Sequence, residues 1–469
     1  MQTSVDELNK ILSKPKEDAH LEFKRAQNQF DFHKLLQCCV ALSNEGGGRL
    51  VLGVTDEYPR SVTGTAAFPD LPDLERRVLN KIGMRIEAEE ILTLEKRVVI
   101  VHAPSRPRGS AYHLDGAYLM RAADSVVPMS EDRLRKVFDE GKPDWLLEPA
   151  TQNLNSDEII QLLETQTFFD LLKLPYPTTR DAVIDQLNRG KLVTSIEGNW
   201  RITNLGALIL AKRLSDFENL ERKAPRVIVY SGPDKLETRI DRIGGKGYAV
   251  GFESLLDFIN TQIQTNEVIG TALRKEVKMF PEAAIRELVA NALIHQDFGE
   301  RGTSVVIELF SDRMEISNPG EPFIAVDRFI DGYQSRNEKL ADLMRRMGIC
   351  EEKGSGIDKV IYSAEAYQLP APDFRTSERR TISILFAHKE FEKMDRNDRI
   401  RACYQHCCLQ YLMNKRMTNQ SLRERFKLPE SKSEAVSRII RETLEAKQIS
   451  QENPANASRR YSKYVPFWA

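Results

Sequence analysis

Between Phe32 and Ser43 apolar residues recur at helical spacing, and Gly48–Val54 then runs apolar for the length of a strand. A helical pattern over Leu71–Ile82 comes next, then strand patterns at Ile91–Leu94, Arg97–Ala103 and Ala117–Arg121. Helices interleaved with such short strands predict an α+β module with mostly antiparallel pairing. Gly141-Lys142-Pro143-Asp144-Trp145 reads as its exit.

Beyond it the pattern turns helical. Ser156-Asp157-Glu158-Ile159 and Thr178-Thr179-Arg180-Asp181 each open a capped helix. A hairpin is expected from Leu192–Ile196 and Asn199–Thr203, turning at Glu197-Gly198. Two helices and a hairpin resemble a small winged-helix connector, and Arg201-Ile202-Thr203-Asn204-Leu205-Gly206 continues into a packing helix. An α/β region comes after it, with strands at Arg226–Tyr230, Ser304–Phe310, Arg313–Ser317 and Thr381–Phe386. Its helices are expected at Phe252–Gln264, Glu282–Gln296 and Lys339–Met347. The predicted domains are 1–145, 150–223, 224–390 and 391–469.

The chain's 469 residues exceed what one core holds, in line with several domains. No apolar run reaches the ~20 residues that span a bilayer, and Met1–Asp6 lacks the basic and apolar regions of a signal peptide. Cys38, Cys39, Cys350, Cys403, Cys407 and Cys408 form no CxxC pair, so neither a zinc ribbon nor a disulfide framework is expected. Cys403 and Cys407, one turn apart around His406, read first as buried small residues and second as a metal site. The expected compartment is the cytoplasm. A net charge of −1 excludes no partner, but residues 391–469 hold sixteen Lys and Arg against nine Asp and Glu.

Candidate chemistry centres on Phe280-Pro281-Glu282-Ala283-Ala284-Ile285-Arg286-Glu287-Leu288-Val289-Ala290-Asn291. Glu287 and Asn291 are four apart and share a helix face. There a carboxylate can orient and deprotonate a water, and an amide oxygen can ligate magnesium beside phosphates. Glu-x-x-x-Asn alone is a weak signal. Three downstream segments give it weight: Asn318-Pro319-Gly320, then Arg336-Asn337, then Gly354-Ser355-Gly356 before a helix. The last turn can aim backbone N–H groups at phosphate.

Residues 280–390 resemble the divergent GHKL (Bergerat-fold) ATP-binding domain of bacterial DNA-binding and transcriptional-regulator proteins. The resemblance implies Glu287 as the water-activating base and Asn291 as the magnesium ligand. Asn318 and Gly320 stand where related proteins carry an Asp-x-Gly-x-Gly box, without its aspartate. Gly354, Ser355 and Gly356 match a shortened second glycine box, and His295, Asp297 and Arg336 are expected around the nucleotide.

In the N-terminal module the notable stretches are Glu17-Asp18-Ala19-His20-Leu21-Glu22-Phe23-Lys24 and Asn44-Glu45-Gly46-Gly47-Gly48, the latter leading to Gly53-Val54-Thr55-Asp56. If the two strands are neighbours, Glu17, Glu22 and Asp56 can converge on a divalent metal and cut a phosphodiester. These residues, with Tyr118-Leu119-Met120-Arg121, resemble an AlbA-type, Schlafen-like domain over about 15–135. That family binds nucleic acid, and its nuclease members use three acidic residues. Glu17, Glu22 and Asp56 fall at the matching positions. Lys24, Arg25, Arg106, Arg108 and Arg121 are the expected phosphate partners.

Residues 397–469 read as a winged helix. Ile400–Met413 and Gln420–Phe426 precede a third helix, Ser433–Lys447, that carries Arg438 and Arg441 on one face. A basic hairpin, Ile449–Val465, holds Arg459, Arg460 and Lys463.

The expected architecture is therefore multidomain α+β: a Schlafen-like AlbA-type domain, a winged-helix connector, a Bergerat-fold α/β sandwich and a C-terminal winged helix. Its expected ligands are ATP with Mg2+ or Mn2+, and DNA or RNA. No membrane contact is expected, and a homo-oligomer is, because Bergerat domains often pair. The first functional expectation is an ATP-regulated, metal-dependent nuclease, and the resemblance implies a role in antiphage defence for that combination. The alternative is an ATP-responsive transcriptional regulator that binds DNA without cutting it.

Overall fold

The computed structural model describes residues 3–13, 18–93, 95–122, 125–141, 143–196, 198–263, 265–269, 274–332, 334–350, 356–453 and 462–469. The chain forms two compact units, Met1–Pro143 and Asp144–Ala469.

In the first unit a four-stranded sheet runs in the order Leu21–Lys24, Gly48–Leu52, Lys96–Ala103, Glu87–Thr93. The first pair is parallel and sets Glu22 beside Leu50; the other pairs are antiparallel. The helix Phe32–Asn44 starts where Asp31 accepts the amide of Lys34. A second helix, Leu71–Ile82, starts at Asp70 and stops at Gly83, whose φ of 68° is left-handed. The glycine turn has a packing reason: a Cβ on Gly48 would stand 2.5 Å from the carbonyl oxygen of His20. Asn44 is buried, and its carboxamide clasps the Tyr112 backbone from both ends and the carbonyl of Leu119. The expectation of a mostly antiparallel module holds. The helices Val5–Leu12 and Glu131–Asp139 and the short strands His113–Leu114 and Ser125–Pro128, which apolar spacing did not predict, also belong to the unit.

In the second unit one apolar core runs from Leu146 to Leu385. Its six-stranded sheet has the order Thr238–Ile243, Arg226–Tyr230, Val306–Leu309, Arg313–Pro319, Arg380–Phe386, Asp373–Ser377. Two of these strands, Thr238–Ile243 and Asp373–Ser377, were not expected. Both lie at sheet edges and are largely exposed, so they lack an apolar run. The helices Tyr248–Gln262, Glu282–His295 and Gly356–Ala366 bring buried apolar faces to this core. Asn155, rather than Ser156, caps its helix. Gly206 lies against the Leu192 carbonyl so closely that no side chain fits there.

The C-terminal part contains helices Arg396–Leu412, Asn419–Arg425 and Ser433–Glu445 and a pair of strands, Ile449–Gln451 and Tyr464–Pro466. Thr418 caps the second helix as expected. Cys403, Cys407 and Cys408 are buried in its core. Burial pushes the Cys403 and Cys408 thiols up to about 12, which leaves them as small apolar residues. Among the described residues, no helix is long and apolar enough to cross a membrane.

Candidate functional site

The helix Glu282–His295 begins at Pro281, whose fixed φ suits a helix start. It ends where Asn337 donates to the carbonyls of Ile294 and Gln296. Its buried side includes Ile285, Leu288, Val289, Ala292 and Leu293, so the helix is clamped to the core. Glu287, Asn291 and His295 succeed one another at intervals of four and all border one cleft. The cleft is open to solvent, and its wall mixes these polar side chains with Leu288, Phe323 and Ile357.

Asn318, from the strand Arg313–Pro319, is buried and borders the same cleft, as do Arg336 and Gly356. Gly356 begins its helix against the end of Glu287; a Cβ there would overlap Glu287 Oε1. Only glycine leaves that carboxylate where it is. Burial, and then the charge of Arg336, lower the His295 imidazole to about 4, so it is neutral at pH 7.

Two expected ligand contacts are different in kind. Asp297 and Gly320 stand behind the wall rather than in it. Asp297 Oδ2 accepts from Arg336 Nη1 at 3.0 Å, and its Oδ1 accepts the Gly299 amide at 2.9 Å. Gly320, at φ 100°, packs on Asp297 and Arg336. Both position Arg336, which also donates to the Glu321 carbonyl at 2.6 Å and lies over Phe323. Gly354 and Ser355 lie outside the described residues. Sequence reasoning missed Phe323, Phe329, Thr381 and Arg345, which also border the cleft. Arg345, in the last turn of a strongly amphipathic helix, was the one with a visible signal.

The N-terminal carboxylates are arranged otherwise. Glu22 is 3% exposed. Its Oε1 meets Lys24 Nζ at 2.6 Å, and its Oε2 pairs with the Arg121 guanidinium. Asp56 is exposed and accepts the backbone amide of Arg25 at 2.9 Å. Glu17 lies outside the described residues. Among the described residues, no three His, Cys, Asp or Glu side chains are grouped to hold a metal ion.

Four of the expected ligand side chains are engaged within the fold. Glu22 is a buried ion-pair partner of Lys24 and Arg121. Arg121 has a fully buried side chain and cannot reach a phosphate. Arg106 is held by two 2.7 Å bonds to Glu140 and one to the Asn44 carbonyl, so its donors serve the fold. Lys24, though partly exposed, is committed to Glu22. Arg25 and Arg108 are exposed, as are Arg438, Arg441 and Lys463 in the C-terminal part. Arg459 and Arg460 lie outside the described residues.

Comparison with known proteins bears on both regions. Residues 17–130 match the family described as "Schlafen, AlbA_2". Residues 302–386 match the family HATPase_c_4, described as "Putative ATP-dependent DNA helicase recG C-terminal". The chain carries an AlbA_2 domain and a HATPase_c_4 domain. The HATPase_c_4 match takes in Asn318, Arg336 and Gly356, and starts after Glu287 and Asn291. The two domain types are those of DNA-binding and ATPase proteins respectively.

Among solved structures, the crystal structure of the DIP2311 protein from Corynebacterium diphtheriae is 16% identical. That match covers 98% of this chain and 96% of that one, with a TM-score of 0.45. The solution structure of the N-terminal domain of a "Putative ATP-dependent DNA Helicase RecG-related Protein" from Nitrosomonas europaea is 19% identical. It covers 28% of this chain and 94% of that one, with a TM-score of 0.21. No curated protein matches the sequence.

Proposed function

We propose that the chain is an ATP-responsive regulator that binds nucleic acid without cutting it. The observation that carries this reading is the pairing of Glu22. A metal-dependent nuclease needs that carboxylate open, and both of its oxygens face cations. Of the expected ligands among the described residues, Glu22 is ion-paired on both oxygens and Asp56 accepts the Arg25 amide, an arrangement that favours binding over cleavage.

The cleft residues do fit a magnesium nucleotide. Magnesium, when bound, neutralises phosphate charge. Asn291 would hold it through the amide oxygen, and Glu287, one turn earlier, would hold a water and take its proton. His295, neutral, would add a hydrogen-bonding group without adding charge. Gly356 keeps the Glu287 carboxylate in place, and Arg336, fixed by Asp297, brings positive charge to the phosphates.

Nucleic-acid contact is assigned to Arg25 and Arg108 in the AlbA_2 domain and to Arg438, Arg441 and Lys463 at the C-terminus. Support comes from their exposure and from the helix, helix, helix and strand-pair order, which suits a winged helix.

Labelled single- and double-stranded DNA and RNA are incubated with the full chain, magnesium or manganese, with and without ATP. The expected result is retarded, intact nucleic acid whose affinity changes with ATP. Metal-dependent cleavage lost in Asp56→Asn, an exposed position, would instead return the nuclease, and with it the antiphage role.

A further inference from the structure

One wall of the nucleotide cleft is a loop, residues 321–332, and the C-terminal part of the chain holds that loop from behind. Phe329 borders the cleft; it also borders a second cavity of about 770 Å³, open mouth included. Ile357, in the first turn of the Gly356 helix, likewise borders both. These two side chains form the partition. The second cavity's far side is the helix Arg396–Leu412, through Ile400, Arg401, Tyr404 and Gln405.

The loop is fastened at three positions around Phe329. The Tyr404 hydroxyl donates to the Asp327 carbonyl. The Arg328 guanidinium lies 5.2 Å over the Trp468 ring, and the Trp468 indole N–H donates to the Tyr404 oxygen at 3.2 Å. Ile330 is buried in the same apolar cluster as Cys403, Cys407 and Met417.

The Gly356 helix repeats this arrangement. Gly356 touches Glu287 at one end. Near the other end Glu365 meets His406 Nδ1 at 3.1 Å and Arg425 Nε at 3.3 Å, both on buried C-terminal residues.

We propose that Tyr404 and Trp468 are positioning residues for the nucleotide site, and that the C-terminal part thereby sets nucleotide affinity. The proposal rests on the nucleotide reading of the cleft. A wall already held in place need not be ordered when the ligand arrives, so its release weakens binding. Coupling is reciprocal: whatever shifts the C-terminal part shifts the cleft, and nucleotide shifts the C-terminal part in return.

The test uses the full chain and a fluorescent ATP analogue with magnesium. Tyr404→Phe removes one hydroxyl and keeps the ring; Trp468→Phe removes the indole N–H and narrows the surface under Arg328. Each variant is expected to raise the nucleotide Kd by about five-fold or more. Hydrogen exchange in 321–332 without nucleotide is expected to quicken, while exchange in the helix Phe32–Asn44 stays as it was. A Tyr404→Phe chain that unfolds with wild-type Tm, binds with wild-type Kd and shows unchanged exchange overturns the coupling. A wild-type chain that binds no nucleotide is a separate failure: it sinks the reading of the cleft, and this proposal with it.

Discussion

Glu22 and Glu287 are both nearly buried, at 3% and 8% exposure, yet their neighbours differ in kind. Glu22 sits on a four-residue strand with a lysine two positions on and an arginine reaching in from another strand. Glu287 sits on a fourteen-residue helix whose next turns bring Asn291 and His295 to the same cleft. In the first region the fold consumes the carboxylate's charge. In the second it presents the carboxylate at a cavity wall beside an amide and a neutral imidazole. Burial against Lys24 and Arg121 makes Glu22 a strut, and a place on the wall of a cleft makes Glu287 a candidate base.

The largest effect expected from this contrast is on stability. Glu22→Gln removes the charge against which Arg121 is buried and should destabilise the first unit by about 3–5 kcal/mol. Glu287→Gln should lower ATP turnover by about 100-fold or more. The three tryptophans, Trp145, Trp200 and Trp468, all lie in the second unit. Calorimetry should show the first unit's transition fall in Glu22→Gln, with the tryptophan-fluorescence midpoint in urea unmoved. A wild-type profile for Glu22→Gln would break the comparison.

A smaller effect sharpens the cleft side. Gly356→Ala places a methyl group in the space of the Glu287 carboxylate and must displace it. Nucleotide affinity, measured by titration calorimetry, should weaken by about ten-fold, equivalent to about 1.4 kcal/mol. Unchanged affinity would mean that the position of Glu287 is immaterial to the site.

A further effect is one of pH. His295 titrates near 6.5 when unfolded and at about 4 when folded, so between those values the unfolded chain binds the extra proton. This contribution to stability is full above about 6.5 and is lost as pH falls towards 4. Its full size is about 3 kcal/mol. The fluorescence midpoint of the second unit should fall on acidification from pH 7 to 4.5, and fall less in His295→Gln. Parallel curves for the two proteins would remove the buried imidazole as the cause.

The long elements were legible because apolar spacing and caps are local. Leu71–Ile82 announces itself through Asp70, Pro72 and Gly83, and the Glu287 helix through Pro281 and its apolar stripe. The edge strands were not, since a strand exposed on both faces has no alternation to read. The shared face of Glu287 and Asn291 came from helical spacing alone. The Asp297–Arg336 clasp did not, because its members are 39 residues apart in sequence.

By itself, then, the sequence determined the mixed α and β character, the helix that carries Glu287 and Asn291, and the glycine turn after Asn44. These depend on backbone preference and on periods of a few residues. Only the tertiary structure decided that Arg121 enters the core to meet Glu22, that Arg106 serves Glu140, and that Tyr404 and Trp468 reach back to the loop of the nucleotide cleft. Each is a contact between distant segments, and its charge or hydrogen bond acquires meaning only after burial removes the water that would otherwise satisfy it.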